Sequence, residues 1–224
     1  MNTQSKTIFF VRHGESRSNK TRIREGMESP LTEHGVKQCV RIAKRLRELD
    51  IECIVSSDFT RAHHLAAIMS GELRLPISHV SPLFGERRNP SVLLGTHESD
   101  PKAQLIWNKI KAHYGESGWR YSNEENFDDF RGRIMNALEF LLTIKEERIV
   151  VASHGMTMKM ILAHVTLGEH LTGEIFWKQF VPIKNVRNTG LMVLEYTKNY
   201  DGTAMFWKLV SWNDHAHLEG LSEK

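Results

Sequence analysis

Three short apolar runs constrain this chain more than anything else in it, because each stops abruptly on a small or charged residue. "TIFFV", Thr7 to Val11, runs into Arg12-His13-Gly14-Glu15; "IECIVS", Ile51 to Ser56, runs into Ser57-Asp58; "RIVVAS", Arg148 to Ser153, runs into His154-Gly155. Runs that are continuously apolar, rather than alternating, are expected of strands buried on both faces, as in parallel sheets. Amphipathic stretches separate them. Thr32 is a good N-cap for a helix that carries Val36, Cys39, Val40, Ala43 and Leu46 on its apolar spacing. "FTRAHHLAAIMSGEL" predicts a second helix with Ala62, Leu65, Ala66 and Met69 on one stripe. Helices are also expected over 101–114, 125–144 and 156–168, and closing strands over 190–196 and 204–212. This alternation predicts a three-layer α/β/α sandwich with a mostly parallel central sheet. Pro82 to Pro101 is rich in Pro, Gly and Ser and has no clear period, which suits a loop. With its neighbours it reads as a lid or substrate-selecting insertion at about 82–126 within one domain, 1–224.

In open α/β sheets, ligands bind beyond the carboxyl ends of the strands. If the three runs are neighbouring strands, Arg12, His13, Arg61 (one turn into the second helix) and His154 converge on one rim. Two guanidinium groups make paired, charge-assisted bonds to phosphoryl oxygens. Gly155 opens a helix, whose free N–H groups also favour an anion, and Gly14 is expected to let the chain turn beside the ligand. A neutral imidazole is a competent nucleophile toward phosphorus, provided an acceptor on its other nitrogen fixes the tautomer. The His-Gly dipeptide alone is weak: 12 His and 15 Gly in 224 residues give about 0.8 copies by chance. Of the three copies present, His13-Gly14 and His154-Gly155 each follow a buried strand. His34-Gly35 follows a helix cap and is expected to lie outside the site.

Composition removes other classes. Net charge is +3, with 30 basic and 27 acidic residues well mixed and no long Lys/Arg stripe, so a nucleic-acid partner is not expected. No apolar run reaches membrane-spanning length, and "MNTQSKT" is not a signal peptide. The two cysteines, Cys39 and Cys53, have neither metal-like nor redox-like spacing. A reducing, cytoplasmic setting is the expectation. His63-His64 and His215/His217 lack ligand partners at structural-site spacing, so no metal is expected. Met156, Met158 and Met160 read as core filling.

"RHGESRSN", "LTEHGVKQ", "SSDFTRAHHLA", "LFGERR" and "ASHGMTMKMIL", with "NTGLMVL" and "WNDHAHL" near the end, resemble the histidine phosphatase superfamily in its own order. The resemblance spans most of the chain and implies the phosphoglycerate-mutase-like fold. It implies His13 as the nucleophile that becomes phosphohistidine, and Arg12, Asn19, Arg61 and a protonated His154 as the phosphate pocket. It implies Glu86 as the acid that protonates the leaving oxygen and then activates water, with no metal and no cofactor. A carboxyl in that role needs a raised pKa, while Arg87 and Arg88 beside it favour the charged form. Arg87 and Gly155 are therefore candidate substrate contacts, Arg87 toward a second anionic group. Glu15 reads as support behind the pocket, and Asp58 as turn or cap chemistry.

The family contains phosphatases and mutases. "GMESPLT" lacks the Trp-Asp pattern associated with mutases, and Pro90 stands where mutases tend to carry glycine. Both departures favour a metal-independent phosphomonoesterase of the histidine acid phosphatase type, acting on a small phosphorylated metabolite. A phosphoglycerate-type mutase and a phospholigand-binding pseudo-enzyme are the alternatives. A homodimer stays open.

Overall fold

The computed structural model describes residues 5–183 and 186–221. A six-stranded sheet has the order β3-β2-β4-β1-β5-β6. Its strands are β1 (Lys6–Arg12), β2 (Cys53–Ser56), β3 (Ile77–Val80), β4 (Arg148–Ser153), β5 (Leu191–Lys198) and β6 (Met205–Asp214). The pairs β1·β4, β2·β4 and β2·β3 are parallel; β1·β5 and β5·β6 are antiparallel. The sheet is thus mostly parallel, with an antiparallel margin at its C-terminal end.

Side chains alternate along the strands and bury both faces, which is why the runs read as continuously apolar. Ile8 and Phe10 of β1 join Ile149 and Val151 of β4 in one core. Helices α5 (Phe127–Thr143) and α6 (Gly155–Leu167) cover that face. Phe9, Val11, Val150 and Ala152 face the other way, under α2 (Glu33–Leu46) and α3 (Thr60–Leu73). In α2, Thr32 is the N-cap and accepts from the Gly35 amide at 3.0 Å. Its buried stripe is Gly35, Gln38, Cys39, Ile42, Ala43 and Leu46, so Ile42 takes the core place expected of Val36 and Val40. The four apolar positions expected of α3 are all buried. In α6, every residue from Thr157 to Ala163 is buried, Met158 and Met160 among them.

Neither β3 nor the first short helix was expected. β3 is a short edge strand whose last three residues are exposed, so it lacks the apolar run that marks its neighbours. α1 (Arg17–Thr21) is a single turn started by Ser16 and Asn19 in a reciprocal capping box. The stretch from Pro82 onward forms short turns and then α4 (Pro101–His113), capped by Asp100. It is tied to the loop after α1 by a small antiparallel ribbon: Arg24 N donates to Thr96 O, Gly95 N to Arg24 O, and Glu98 N to Arg22 O, each at 2.9 Å. Among the described residues, no helix is long and apolar enough to cross a membrane.

Candidate active site

Parallel pairing sets β2, β4 and β1 side by side, and their last residues form one rim. Arg12 lies opposite Ser153, and Ser56 opposite Ala152. The ladder continues one step past the strands, with His13 N donating to Ser153 O and Ser57 N to Ala152 O, both at 3.0 Å. Beyond this rim opens a cleft of about 800 Å³. Arg12, His13, Asn19, Arg61, Glu86 and Arg87 line it, whereas His154 and Gly155 are not among its lining residues. The His13 and His154 rings are 5.2 Å apart, edge to face.

His13 is held in one tautomer. Its Nδ1 is 2.7 Å from Gly14 O, which can only accept, and its Nε2 receives the Arg61 Nε–H at 3.1 Å. The proton therefore sits on Nδ1, and the lone pair of Nε2 faces the arginine-lined end of the cleft. Burial, then Arg61 and Arg12, hold the His13 pKa well below the ordinary imidazole value of 6.5. The ring is neutral at physiological pH.

Burial, then Arg61, His13 and Arg12, hold His154 well below the same value. A protonated His154 is thus not what this arrangement sets up, because desolvation and two neighbouring guanidinium groups disfavour its charge. Its Nε2 is 2.9 Å from Ser57 Oγ, and its Nδ1 is buried without a partner. Arg12 donates to the Val186 carbonyl and has a buried, unpaired Nε. Arg61 also donates from Nη1 to Gly26 O at 3.1 Å. Asn19 Oδ1 accepts from Ser16 N and from Asn188 Nδ2, both at 3.2 Å.

Glu86 reaches the site from the segment after β3. Its Oε2 accepts from Met156 N at 3.3 Å, in the first turn of α6, and its Oε1 accepts from Arg87 N at 2.9 Å. The free N–H groups of α6 are thus partly used to seat the Glu86 carboxyl group. Arg87 lines the cleft and packs against the Trp107 and Tyr114 rings, and Arg88 N donates to Glu125 Oε2 at 3.2 Å.

Gly14 serves a different purpose from the expected turn. A Cβ there would collide with the Gly35 carbonyl, and one on Gly35 would collide with the Glu15 backbone. The two glycines let the strand end and the start of α2 pack backbone to backbone. His34-Gly35 is outside the cleft, as expected, but its glycine seats the first motif. Glu15 supports that contact: its Oε1 accepts from Thr32 Oγ1 at 2.6 Å. Asp58 lines the cleft and caps nothing, because Phe59 holds the N-cap position of α3 without a side-chain bond. A Cβ on Gly155 would lie 3.5 Å from Arg12 Nε, an ordinary contact, so no close approach requires that glycine.

Sequence reasoning missed Asn188, whose Nδ2 donates to His13 O at 3.1 Å, and Ser57, the partner of His154. It also missed Arg133, which donates to Leu83 O and Gly85 O at 2.8 and 2.9 Å and steadies the approach to Glu86. "NTGLMVL" and "SSD" at strand margins were the available signals for the first two; Arg133 had none. His63 and His64 are exposed on α3. Cys39 and Cys53 are free and buried, and burial pushes the Cys39 thiol up to about 12. Among the described residues, no three His, Cys, Asp or Glu side chains are grouped to hold a metal ion.

The profile of the histidine phosphatase superfamily (branch 1) matches residues 8–215. A Yersinia pestis protein named "Probable phosphoglycerate mutase GpmB" is 27% identical over 220 residues, covering 95% of this chain and 94% of its own. The alpha-ribazole phosphatase of Shigella flexneri superposes with a TM-score of 0.74 at 20% identity, over 94% of this chain and 97% of that one. A mycobacterial glucosyl-3-phosphoglycerate phosphatase bound to VO3 gives 0.71 at 21% identity, over 93% and 99%.

Proposed function

This chain belongs to the histidine phosphatase superfamily, and on that premise we propose that it hydrolyses phosphomonoesters through a phosphohistidine on His13. The observation that carries the reading is the His13 tautomer: Nδ1 is tied to Gly14 O, and Nε2 carries its lone pair among Arg12 and Arg61. A neutral, oriented imidazole beside cations fits attack on a phosphoryl dianion.

In the first step the Arg61 Nε–H leaves His13 Nε2 for a phosphoryl oxygen, the freed Nε2 lone pair attacks phosphorus, and the ester P–O bond breaks with its electron pair on the departing oxygen. Protonated Glu86 supplies the proton to that oxygen. In the second step water attacks phosphorus, Glu86 takes the water's proton, and the P–N bond breaks to release phosphate. Arg12 and Arg61 balance charge on the equatorial oxygens, the main lever in phosphoryl transfer. The incoming dianion also raises the His154 pKa by supplying the opposite charge. No step requires a metal. A small phosphorylated metabolite in a cytoplasmic setting suits the cleft volume and the small net charge.

A second reading, a phosphoglycerate-type mutase, is favoured by the Yersinia relative. It differs in returning the phosphoryl group to a bound acceptor rather than to water. The test is hydrolysis of p-nitrophenyl phosphate by wild type and His13→Ala, with a chelator present. Turnover that falls on the order of 10³-fold or more in the variant is the expected result. Equal turnover in both proteins would overturn the assignment of His13. A wild type that transfers phosphoryl groups between phosphoglycerates, yet not to water, would replace the hydrolase with the mutase.

A further inference from the structure

The polar residues of "WNDHAHL", Trp212 to Leu218, take no part in the chemistry above, yet they close on the back of the strand rim. They meet it through the turn 187–190 that leads into β5, where Gly190 N donates to Arg187 O at 2.8 Å. Asn213 Oδ1 accepts from Arg187 N at 2.8 Å, and Asp214 pairs with Arg45 of α2. His217 Nε2 lies 2.9 Å from Thr189 Oγ1. Arg41 of α2 donates to His217 O and Glu219 O at 3.3 and 2.7 Å, which pins the tail on its far side.

Thr189 is fully buried, and its φ is +57°, a left-handed backbone that a β-branched residue rarely adopts. In that conformation its N–H faces two carbonyls at the end of β1, Arg12 O at 3.0 Å and His13 O at 3.3 Å. Asn188 Nδ2 adds a bond to His13 O at 3.1 Å. His13 O and Gly14 O are consecutive carbonyls, and Gly14 O is the acceptor that fixes the His13 ring. The clamp on His13 O thus reaches the nucleophile through one peptide unit. A backbone that opposes its own side chain must be held from outside. Thr189 Oγ1 has one proton, which goes to Asn188 O at 2.7 Å. The proton of the second bond therefore comes from His217 Nε2. Burial, then Arg45, push the His217 pKa down to about 4, so the ring is neutral at physiological pH. Its Nδ1 is buried without a partner, which leaves the bond to Thr189 as the contact the ring makes through its nitrogens.

We propose that His217 is a positioning residue for the nucleophile: by holding Thr189 in its left-handed turn, it fixes the main chain that aims the His13 ring. The inference rests on the reading of His13 as the nucleophile, but one arm of its test does not use turnover.

The test compares His217→Leu with wild type, alone and in a Thr189→Gly background. On p-nitrophenyl phosphate, His217→Leu is expected to lose about tenfold or more in kcat while KM stays within about twofold, because a misaimed nucleophile still leaves the substrate bound. Glycine adopts a left-handed turn without help, so in the Thr189→Gly background the same change should cost less than about threefold. His217→Gln, which keeps an N–H near the place of Nε2, should stay within about threefold of wild type. If His217→Leu does not fold, His217→Gln against His217→Asn, whose amide is one carbon shorter, makes the same comparison. The second arm reads the imidazole ¹⁵N shifts of His13, assigned by their loss in His13→Asn. Wild type should carry the proton on Nδ1, and His217→Leu should show a mixture of tautomers. Wild-type kcat in a folded His217→Leu, an equal loss in the Thr189→Gly background, or a His13 tautomer unmoved by His217→Leu would each overturn the positioning role. A wild type without turnover that shows the tautomer change would keep the positioning role and remove the hydrolase.

Discussion

At the end of the cleft that carries His13, Arg12, Ser56 and Ser153 are the last residues of three adjacent strands, and main-chain bonds hold His13 and Ser57 just beyond them. At the other end, Arg87 and Arg88 lie on a segment with no strand beneath them. Side chains supply much of what holds that segment: Glu125 takes the Arg88 amide at 3.2 Å, and Arg133 takes Leu83 O and Gly85 O, beside a main-chain bond from Glu125 N to Arg88 O at 3.1 Å. The first end is made by topology, so any chain with this sheet presents a similar rim. The second depends on particular side chains, so its shape can vary while the rim is kept.

Glu86 bridges the two ends, and replacing it probes the bridge most strongly. Glu86→Gln is expected to cost roughly 10²- to 10⁴-fold in kcat on an alkyl phosphate, which needs a proton on its leaving oxygen. The loss on p-nitrophenyl phosphate should be far smaller. Equal losses on both substrates would mean that Glu86 shapes the rim rather than donating a proton.

Arg133→Met tests how much of the hold on the segment after β3 comes from side chains. It leaves Glu125, 1% exposed in its side chain, buried without its cation. Loss of one partner of such a pair costs about 3–5 kcal/mol. Hydrogen exchange should place the loss in the cover, with β1, β2 and β4 still protected. A loss spread evenly over the sheet would break the comparison.

Gly35→Ala applies the matching test to the rim. A methyl group there meets the Glu15 backbone, so the strand end and α2 must separate. A destabilisation of about 1–3 kcal/mol in urea unfolding is expected, together with loss of activity, although Gly35 lies outside the cleft. Wild-type stability would show that the backbone contact has slack.

The smallest effect is on pH dependence. His13 and His154 are held neutral when folded, well below 6.5, but regain ordinary imidazole behaviour when unfolded. Below about pH 6.5 the unfolded chain binds more protons than the folded one, so stability falls as pH drops through that value. His217, pushed down to about 4 by burial first and then by Arg45, adds to the same trend. Urea midpoints at pH 7.5 and 5.5 should therefore differ, and the difference should shrink in His154→Asn. A midpoint unchanged between the two pH values would show that the imidazoles are not buried neutral.

Legibility in the sequence divides in the same way. β4 occupies the expected residues, and the expected helix over 101–114 is observed as Pro101–His113, because long apolar or periodic runs specify an element locally. β3 escaped notice because an exposed edge strand needs little apolar character. Val36 and Val40 were expected in the core and Ile42 was not, because helical spacing fixes a stripe only to within the width of the face it meets. Among site residues, His13, Arg12 and Arg61 were legible from their position after buried strands. Ser57 and Asn188 were not, since each acts through a hydrogen bond to a residue far away in the chain.

By itself, the sequence determined the three buried strands, the helices between them and the polar residues set at the strand ends. Hydrophobic period and capping are local, and burial on both faces leaves a strand few alternatives. Tertiary structure decided that β4 sits between β1 and β2, and that Gly14 needs Gly35. It also decided that burial and neighbouring arginines disfavour charge on both histidines, and that Arg24 and Arg87 each lie against the Trp107 ring, at 5.6 and 5.3 Å. Each of these depends on distance between groups remote in sequence, and desolvation, packing and charge coupling exist only once those groups are brought together.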